Sequence, residues 1–251
     1  MQSVDRITNI IHVLSQENRG LSISEISNKT DLSPSTVHRL LKSLQDKNYV
    51  VQDDESKKYK LGLEILRVAI HLLNNNNVVN IARKHNESLA EKCKKMVFLS
   101  VIENDRVICV DTATTIKSTS QFYVRIGSEM PINASASAKA IIAYQDDDYI
   151  RKLLNKNELK KYMDRTKVDC EEIMKEYKEI ANEGLAICDE EMEVGVQAIA
   201  SPIRDYRGNV IASVSIILTK SNNVIEKDII ESVKACSDQI SQELGFIIVK
   251  R

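Results

Sequence analysis

The sequence lacks a membrane segment and a secretory signal. No apolar run reaches the roughly 18 residues that a membrane-spanning helix requires. The first residues, MQSVDRITNIIHVL, contain no basic stretch followed by an apolar core, which is the pattern of a secretory signal. These two absences predict a cytoplasmic protein.

The sequence also has few of the residues that build metal and redox sites. Its five cysteines are scattered and contain no C-x-x-C pair, so neither a disulfide framework nor a zinc ribbon is predicted. Its four histidines are far apart, and none follows His85, so the second half of the chain would need another base or ligand. We therefore predict no catalytic centre, no metal site and no cofactor.

What is present is an ordinary composition for a folded protein. The 251 residues include 28% charged and 43% hydrophobic residues, and they suffice for one large domain or two smaller ones. No internal repeat or extended low-complexity segment interrupts the chain. The composition therefore leaves the function to be read from local motifs.

Residues 21–61 are the most informative segment. They predict two short helices joined by a tight turn and followed by a two-stranded hairpin, which is the order of a winged helix-turn-helix. Ser22 is placed to cap the first helix, and Glu25 completes a capping box. Ser33 is the predicted N-cap of the second helix, and Pro34 occupies its first position. Several independent local signals therefore agree on a DNA-binding module.

The second helix of this module has the pattern of a recognition helix. Val37, Leu40, Leu41 and Leu44 follow the spacing of one buried helical face. The remaining side chains are short hydroxyls and then cations, which suit phosphates, and Arg39 suits a bidentate contact with guanine. The residues predicted to contact DNA are Ser22, Ser33, Ser35, Thr36, His38, Arg39, Lys42 and Lys58.

The nearly balanced charge of this module leaves a protein–protein interaction module as an alternative to DNA binding. Residues 1–62 carry nine Lys or Arg and eight Asp or Glu, a weak basic footprint for a DNA-binding domain. Capped helical pairs also occur in protein–protein modules. We favour double-stranded DNA as the partner because the second helix is locally basic.

The rest of the chain predicts an α+β fold. We expect a winged-helix domain over residues 1–61, a linker and dimerisation helix over 62–76, and an effector-binding domain over 77–251. An N-terminal helix with Val4, Ile7, Ile11 and Leu14 is predicted to pack on the first domain. In the last domain we expect helices at 78–95, 135–144, 147–155, 171–183 and 224–246, the last capped by Asn223. The predicted strands are 96–103, 106–113, 121–126, 185–188, 197–204 and 209–218.

Two places in the last domain have the chemistry of a ligand site. Small residues open the helix near residue 135, so the backbone N–H groups of Ala136 and Ser137 could hold a carboxylate; alternatively, this helix only packs closely on a sheet. The strand 212–218 places Ser213, Ser215 and Ile217 on one face. Cys188 precedes the acidic run 189–191, which we expect to be exposed; alternatively, one of its carboxylates accepts a hydrogen bond from a ligand hydroxyl.

The order of these features resembles the IclR family of bacterial transcriptional regulators over essentially the full chain. The matching segments are residues 22–62, 130–140 (MPINASASAKA), 184–195 (GLAICDEEMEVG) and 200–216 (ASPIRDYRGNVIASVSI). The resemblance implies a winged helix, a dimerising linker helix and a GAF-like effector domain with an antiparallel sheet. It also implies operator binding as a homodimer or dimer of dimers, modulated by a small molecule that is often an organic acid.

The resemblance also implies a set of pocket residues. They are Phe122, Met130, Ala136, Ser137, Cys188, Ala198, Ser215 and Ile217. The chain departs from the family pattern at Asn133, where many members have histidine, and at Ala138, where glycine is usual. Cys188 stands where an acidic residue can serve, and the neighbouring Asp189 is expected to substitute for it. Ala198 and Ile217 are also less polar than the cysteine and serine of some members, and together these departures predict a drier pocket with fewer donors.

The sequence therefore predicts a ligand-responsive transcriptional regulator, and we expect a repressor. One alternative is a redox-responsive regulator that uses Cys188, which requires an exposed thiol with a lowered pKa. Another is a GAF-like enzyme, which requires a nucleophile–base pair or a metal cluster that the sequence does not offer.

Overall fold

A computed structural model describes residues 2–74, 76–115, 124–220 and 225–247. The chain divides into two compact units, residues 1–75 and 76–251. The division falls next to the predicted start of the effector domain, and the predicted linker helix belongs to the first unit. No helix in the described part of the chain is long and apolar enough to cross a membrane.

The first unit is a winged helix-turn-helix followed by a helix. Its elements are α1 (Gln2–Ser15), α2 (Ile23–Thr30), α3 (Pro34–Gln45), β1 (Val50–Gln52), β2 (Tyr59–Leu61) and α4 (Leu63–Asn74). The two strands pair antiparallel and form the wing. The predicted buried face of α3 is confirmed, since Val37, Leu40, Leu41 and Leu44 all lie in the core of this unit.

The packing face of α1 differs from the prediction. Ile10, Val13 and Leu14 are buried, whereas Val4 is 65% exposed. The contacts of α1 with α2 and β2 explain the difference, because they bury the C-terminal half of the helix. The prediction that α1 packs on the DNA-binding module is nevertheless confirmed.

The predicted caps of the module are present. The Ser22 hydroxyl accepts a hydrogen bond from the Glu25 N–H, and the Glu25 carboxylate accepts one from the Ser22 N–H. The Ser33 hydroxyl accepts from the Thr36 N–H at the start of α3. Asp31 ends α2 in the left-handed region, at φ 56°. The left-handed backbone of Asp31 therefore ends α2, and the Ser33 side chain sets the start of α3.

The second unit contains a five-stranded antiparallel sheet in the order β4-β3-β7-β6-β5. Its strands are β3 (Val97–Glu103), β4 (Arg106–Ala113), β5 (Ala186–Asp189), β6 (Val196–Arg204) and β7 (Val210–Thr219). Its helices are α5 (Asn77–Cys93), α6 (Ala136–Ile142), α7 (Asp147–Lys156), α8 (Cys170–Glu183) and α9 (Lys227–Glu243). The predicted α+β class with an antiparallel sheet is confirmed.

Helices cover both faces of this sheet. Helices α5 and α9 pack on one face, and α6 packs on the other with α8 behind it. Strand β7 therefore turns Val214 and Ile216 toward the α5–α9 core and Ile217 toward the α6 core. Because both faces are buried, Ser213 and Ser215 have no exposure to solvent.

Two predicted boundaries in the second unit are wrong. Of the strand predicted at 121–126, residues 121–123 lie outside the described residues, and 124–126 are not a strand. There the chain turns at Gly127, whose φ is 89°, and its N–H donates to the Cys109 carbonyl. Helix α9 begins at Lys227 with Glu226 at the cap position, so the predicted cap Asn223, which lies outside the described residues, does not start it.

Candidate DNA-binding surface and ligand cavity

The exposed side of α3 carries the predicted DNA-contacting cations. Ser35, His38, Arg39 and Lys42 are exposed and follow the spacing of a single helical stripe opposite the buried leucines. Arg39 and Lys42 form no ion pair with any residue that the structure describes. The stripe therefore presents donors that no described carboxylate neutralises.

The other predicted DNA-contacting residues have partners within the unit. The Ser33 hydroxyl lies 2.9 Å from the Thr36 hydroxyl and 3.1 Å from the Ser35 hydroxyl. Lys58 on the wing pairs with Glu25, with 3.4 Å between Nζ and the carboxylate. Ser22 caps α2. The structure thus gives Ser22 and Ser33 a capping role and gives Lys58 an ion pair on the surface.

A cavity of about 430 Å³ lies in the second unit, between the α6 face of the sheet and the start of α6. Five residues of the predicted pocket line it: Met130, Ala136, Cys188, Ala198 and Ile217. The sequence interpretation missed the other lining residues, which are Phe98, Val124, Arg125, Ala134, Ser135, Met192, Glu193 and Val196. Phe98, Val124, Arg125 and Val196 lie outside the matching family segments, so only their place in the fold marks them. The other four lie within those segments but had not been assigned to the pocket.

Three predicted pocket residues lie outside the cavity lining. Ser137 is fully buried, and its hydroxyl lies 2.8 Å from the Ser135 hydroxyl. Ser215 is fully buried between the sheet and α6 and has no hydrogen-bond partner among the described residues. Asp189 points away from the cavity because Cys188, its neighbour on β5, points in. Phe122 lies outside the described residues.

Asp189 has its own partners on the far side of β5. Its carboxylate lies 2.9 Å from Lys220 Nζ, accepts from the Gln197 amide at 2.8 Å and pairs with Arg165. Adjacent residues of a strand point to opposite faces. The expectation that Asp189 substitutes for an inward acidic residue is therefore wrong for this structure.

Cys188 is a buried thiol at the cavity wall. It is 5% exposed, and its Sγ donates to the Ala134 carbonyl at 2.7 Å. Burial raises the pKa of this thiol to about 12. A redox sensor needs an accessible thiolate, so the structure overturns the Cys188 redox alternative.

The acidic run that follows Cys188 is not a solvated surface. Glu191 is buried, and its carboxylate lies 2.6 Å from the Nζ of Lys139, which is fully buried on α6. Glu176 on α8 lies 2.9 Å from the same Nζ. Burial raises the pKa of Glu191, while the two carboxylates outweigh burial and raise the pKa of Lys139. The sequence signal for this buried triad was Lys139 itself, a lysine among the small and apolar residues that form α6.

The cavity itself has an apolar floor and a charged rim. Phe98, Met130 and Ile217 contribute buried apolar surface. Among the described residues that line the cavity, Arg125 and Glu193 are charged, and both are exposed to solvent. The described residues contain no group of three or more His, Cys, Asp or Glu that could hold a metal ion. The cavity is therefore suited to a small organic molecule with at least one polar end.

Comparison with known proteins assigns the chain to a family. The family model "Bacterial transcriptional regulator IclR C-terminal" matches residues 70–242, and the model "IclR helix-turn-helix domain" matches residues 3–54. The chain therefore belongs to the IclR family of bacterial transcriptional regulators. It is a DNA-binding regulator of transcription and not an enzyme.

Individual relatives span nearly the whole chain. The DNA-binding transcriptional repressor YiaJ of Escherichia coli (strain K12) is 30% identical over 251 residues, which cover 98% of this chain and 89% of that protein. The transcriptional regulator KdgR of the same organism is 27% identical over 248 residues, with 98% and 94% covered. An IclR homologue from Microbacterium hydrocarbonoxydans, solved in complex with 4-hydroxybenzoate, has the same fold. Its TM-score is 0.82 at 19% identity, with 96% of this chain and 98% of that chain covered.

Proposed function

We propose that this regulator is a homodimeric repressor whose affinity for operator DNA is modulated by a small carboxylate-bearing metabolite in the cavity of the second unit. The observation that carries the proposal is the cavity, which combines an apolar floor with Arg125 at its rim. Arginine binds a carboxylate through two parallel hydrogen bonds. The IclR homologue bound to 4-hydroxybenzoate supports a carboxylate as ligand in this fold. Such a regulator acts in the cytoplasm, where bacterial DNA lies.

The DNA-binding half of the proposal rests on the exposed stripe of α3. Arg39 is our candidate for base contact, and Ser35 and Lys42 are candidates for phosphate contact. We expect Arg39→Ala to lower affinity for the preferred sequence by about 5- to 150-fold, because a bidentate base contact contributes about 1–3 kcal/mol. The control is Arg207→Ala, in the exposed turn 205–208 of the second unit.

The preferred operator is found by selection from a random double-stranded library with the full chain, followed by gel-shift titration at fixed salt. Arg39→Ala should lose affinity and relax the base preference, while Arg207→Ala should do neither. If Arg39→Ala retains both the affinity and the preference, Arg39 is not a base-reading residue.

The dimer half of the proposal rests on α4. Leu63, Leu66 and Leu72 are 81%, 53% and 68% exposed, an unusual apolar surface for an isolated helix. A second copy of α4 would bury it and give the two-fold symmetry that paired half-sites require. We expect Leu66→Glu to yield monomers in light scattering after gel filtration. Val4→Glu, at an exposed apolar position of α1, should leave the dimer intact. Dimers of Leu66→Glu would contradict this interface.

The proposal that a carboxylate-bearing metabolite binds in the cavity is tested by a thermal-shift screen of keto acids, sugar acids and aromatic acids. A ligand that binds only the folded state raises the melting temperature in proportion to the logarithm of its concentration. An acid that stabilises the wild type should also change operator affinity, because the ligand and the operator bias one conformational equilibrium. Stabilisation without any change in operator affinity would contradict regulation by that ligand.

A further inference from the structure

Two opposite charges remain available at the rim of the cavity. Arg125 belongs to the segment that precedes Met130, and Glu193 belongs to the turn 190–195 between β5 and β6. No ion pair of 4.0 Å or less joins Arg125 or Glu193 to each other or to another described residue. Among the described residues, therefore, none takes up the hydrogen-bonding capacity that these two side chains can offer a molecule in the cavity.

The acidic residues before Glu193 have their own cationic partners. Asp189 and Glu190 lie 2.9 and 2.7 Å from Lys220 Nζ, and Glu190 also accepts from the Gly195 N–H at 2.9 Å. Glu191 is held by the buried Lys139. These bonds anchor both ends of the turn 190–195. Because both ends of the turn are held, Glu193 lies at the cavity on an anchored segment of backbone.

The two charges select opposite ligand groups. The guanidinium of Arg125 has only donors, and a carboxylate matches its fork. The ionised carboxylate of Glu193 has only acceptors, so it binds an ammonium or hydroxyl group and repels a second anion. The same cavity is lined by the apolar side chains of Phe98, Met130 and Ile217. A ligand that satisfies this lining has an apolar body, one carboxylate and one hydrogen-bond donor.

We propose that the effector is a monocarboxylic acid with an apolar body that also carries an ammonium or hydroxyl donor, and that Glu193 is the residue that selects this donor. Arg125 binds the carboxylate of the same ligand. This inference rests on the effector-binding function proposed above, and it adds the ligand class and the selecting residue.

The test compares three parent acids with their 2-amino and 2-hydroxy derivatives: acetate, butanoate and 3-phenylpropanoate. Binding to the full-length dimer is measured by calorimetry and by thermal shift. The variants are Glu193→Gln and Arg125→Gln, and the control is Glu179→Gln, at an exposed position of α8. Comparing the amino and hydroxy derivatives shows which donor the site prefers.

In the wild type and in Glu179→Gln, we expect at least one derivative to bind about 10-fold more tightly than its parent. Glu193→Gln should reduce that advantage to less than about 3-fold without weakening the parent acid. Arg125→Gln should weaken every bound acid by about 10-fold. Parents that bind as tightly as their derivatives, or an advantage that survives Glu193→Gln, would overturn the inference, as would the absence of binding by all nine compounds.

Operator affinity measured in the same samples separates this inference from the proposed function. If the parent acids bind and change operator affinity without any advantage for the donor-bearing derivatives, only the role of Glu193 is wrong. If no compound binds or changes operator affinity, the carboxylate-binding function of the cavity fails as well.

Discussion

Replacing Lys139 by methionine tests the buried charges behind the cavity wall. The Lys139 ammonium is fully buried between Glu191 at 2.6 Å and Glu176 at 2.9 Å, and Lys167 reaches Glu176 only at 3.3 Å. Methionine keeps the approximate length of the side chain and removes the positive charge. The variant therefore leaves Glu191 as a buried carboxylate without its cation.

Removing one partner of a buried ion pair costs about 3–5 kcal/mol, because the remaining charge is uncompensated. The second unit has the size at which 1 kcal/mol lowers the melting temperature by about 2–4 °C. Lys139→Met should therefore lower the melting temperature of this unit by about 6–20 °C. The matched control is Lys178→Met, whose partner Asp147 lies at 3.4 Å with both side chains more than half exposed. Because surface ion pairs contribute only about 0–1 kcal/mol to stability, Lys178→Met should lower the melting temperature only slightly.

The assay is thermal unfolding followed by circular dichroism, at several pH values. Burial already raises the pKa of Glu191 above its ordinary 4.5, and loss of Lys139 removes the nearest charge that lowers it. An acid with a raised pKa in the folded state stabilises the fold when protonated, and this contribution is lost as the pH rises through that pKa. The deficit of Lys139→Met relative to the wild type should therefore be larger at pH 8 than at pH 5.

A double variant, Lys139→Met with Glu191→Gln, removes the charge together with its partner and should recover part of the lost stability. A single variant as stable as Lys178→Met would refute the reasoning, because it would mean that solvent screens the triad. A deficit independent of pH would show that packing rather than charge is responsible.

Three further predictions concern single sites. Gly62→Ala should lower the free energy of unfolding of the first unit by about 1–3 kcal/mol in thermal denaturation, since a Cβ there would overlap the Asn48 carbonyl oxygen. Unchanged stability would mean that the backbone adjusts freely. In the same experiment, Ser33→Ala should lower the free energy of unfolding by about 1 kcal/mol, because the side chain that accepts from the Thr36 N–H is lost. Ser33→Asp should keep this stability, because aspartate can accept the same hydrogen bond. Cys188 should resist iodoacetamide at pH 8 in the folded protein and react in denaturant, because burial shields the thiol and raises its pKa to about 12. Mass spectrometry measures the labelling, and rapid labelling of the folded protein would reopen the redox alternative.

The features that the sequence predicted best depend on neighbours within a few residues. The capping box of Ser22 and Glu25 is closed by residues three positions apart. The hairpin between β3 and β4 turns at Asn104 and Asp105, both with positive φ, as residues of this type allow. The apolar face of α3 follows from helical spacing alone. Such features are local, and hydrogen bonding or sterics at one site determine them.

The cavity was only partly predictable because distant segments build it. Five of the predicted residues line it, but Asp189 is excluded by strand alternation and by its bonds to Lys220 and Gln197. Arg125 and Glu193 belong to different turns; Arg125 lies outside the family motifs, and Glu193 lies within the 184–195 segment but was not predicted to line the pocket. Only the tertiary structure places them at one rim.

The sequence by itself therefore determined the winged helix, the order of elements and the family. Those follow from periodicity and capping, which act over a few residues, and from motifs along one chain. The tertiary structure decided which polar groups are paired and which remain available. Lys139 and Glu191 are 52 positions apart, and they form a buried pair because the sheet order brings α6 next to β5.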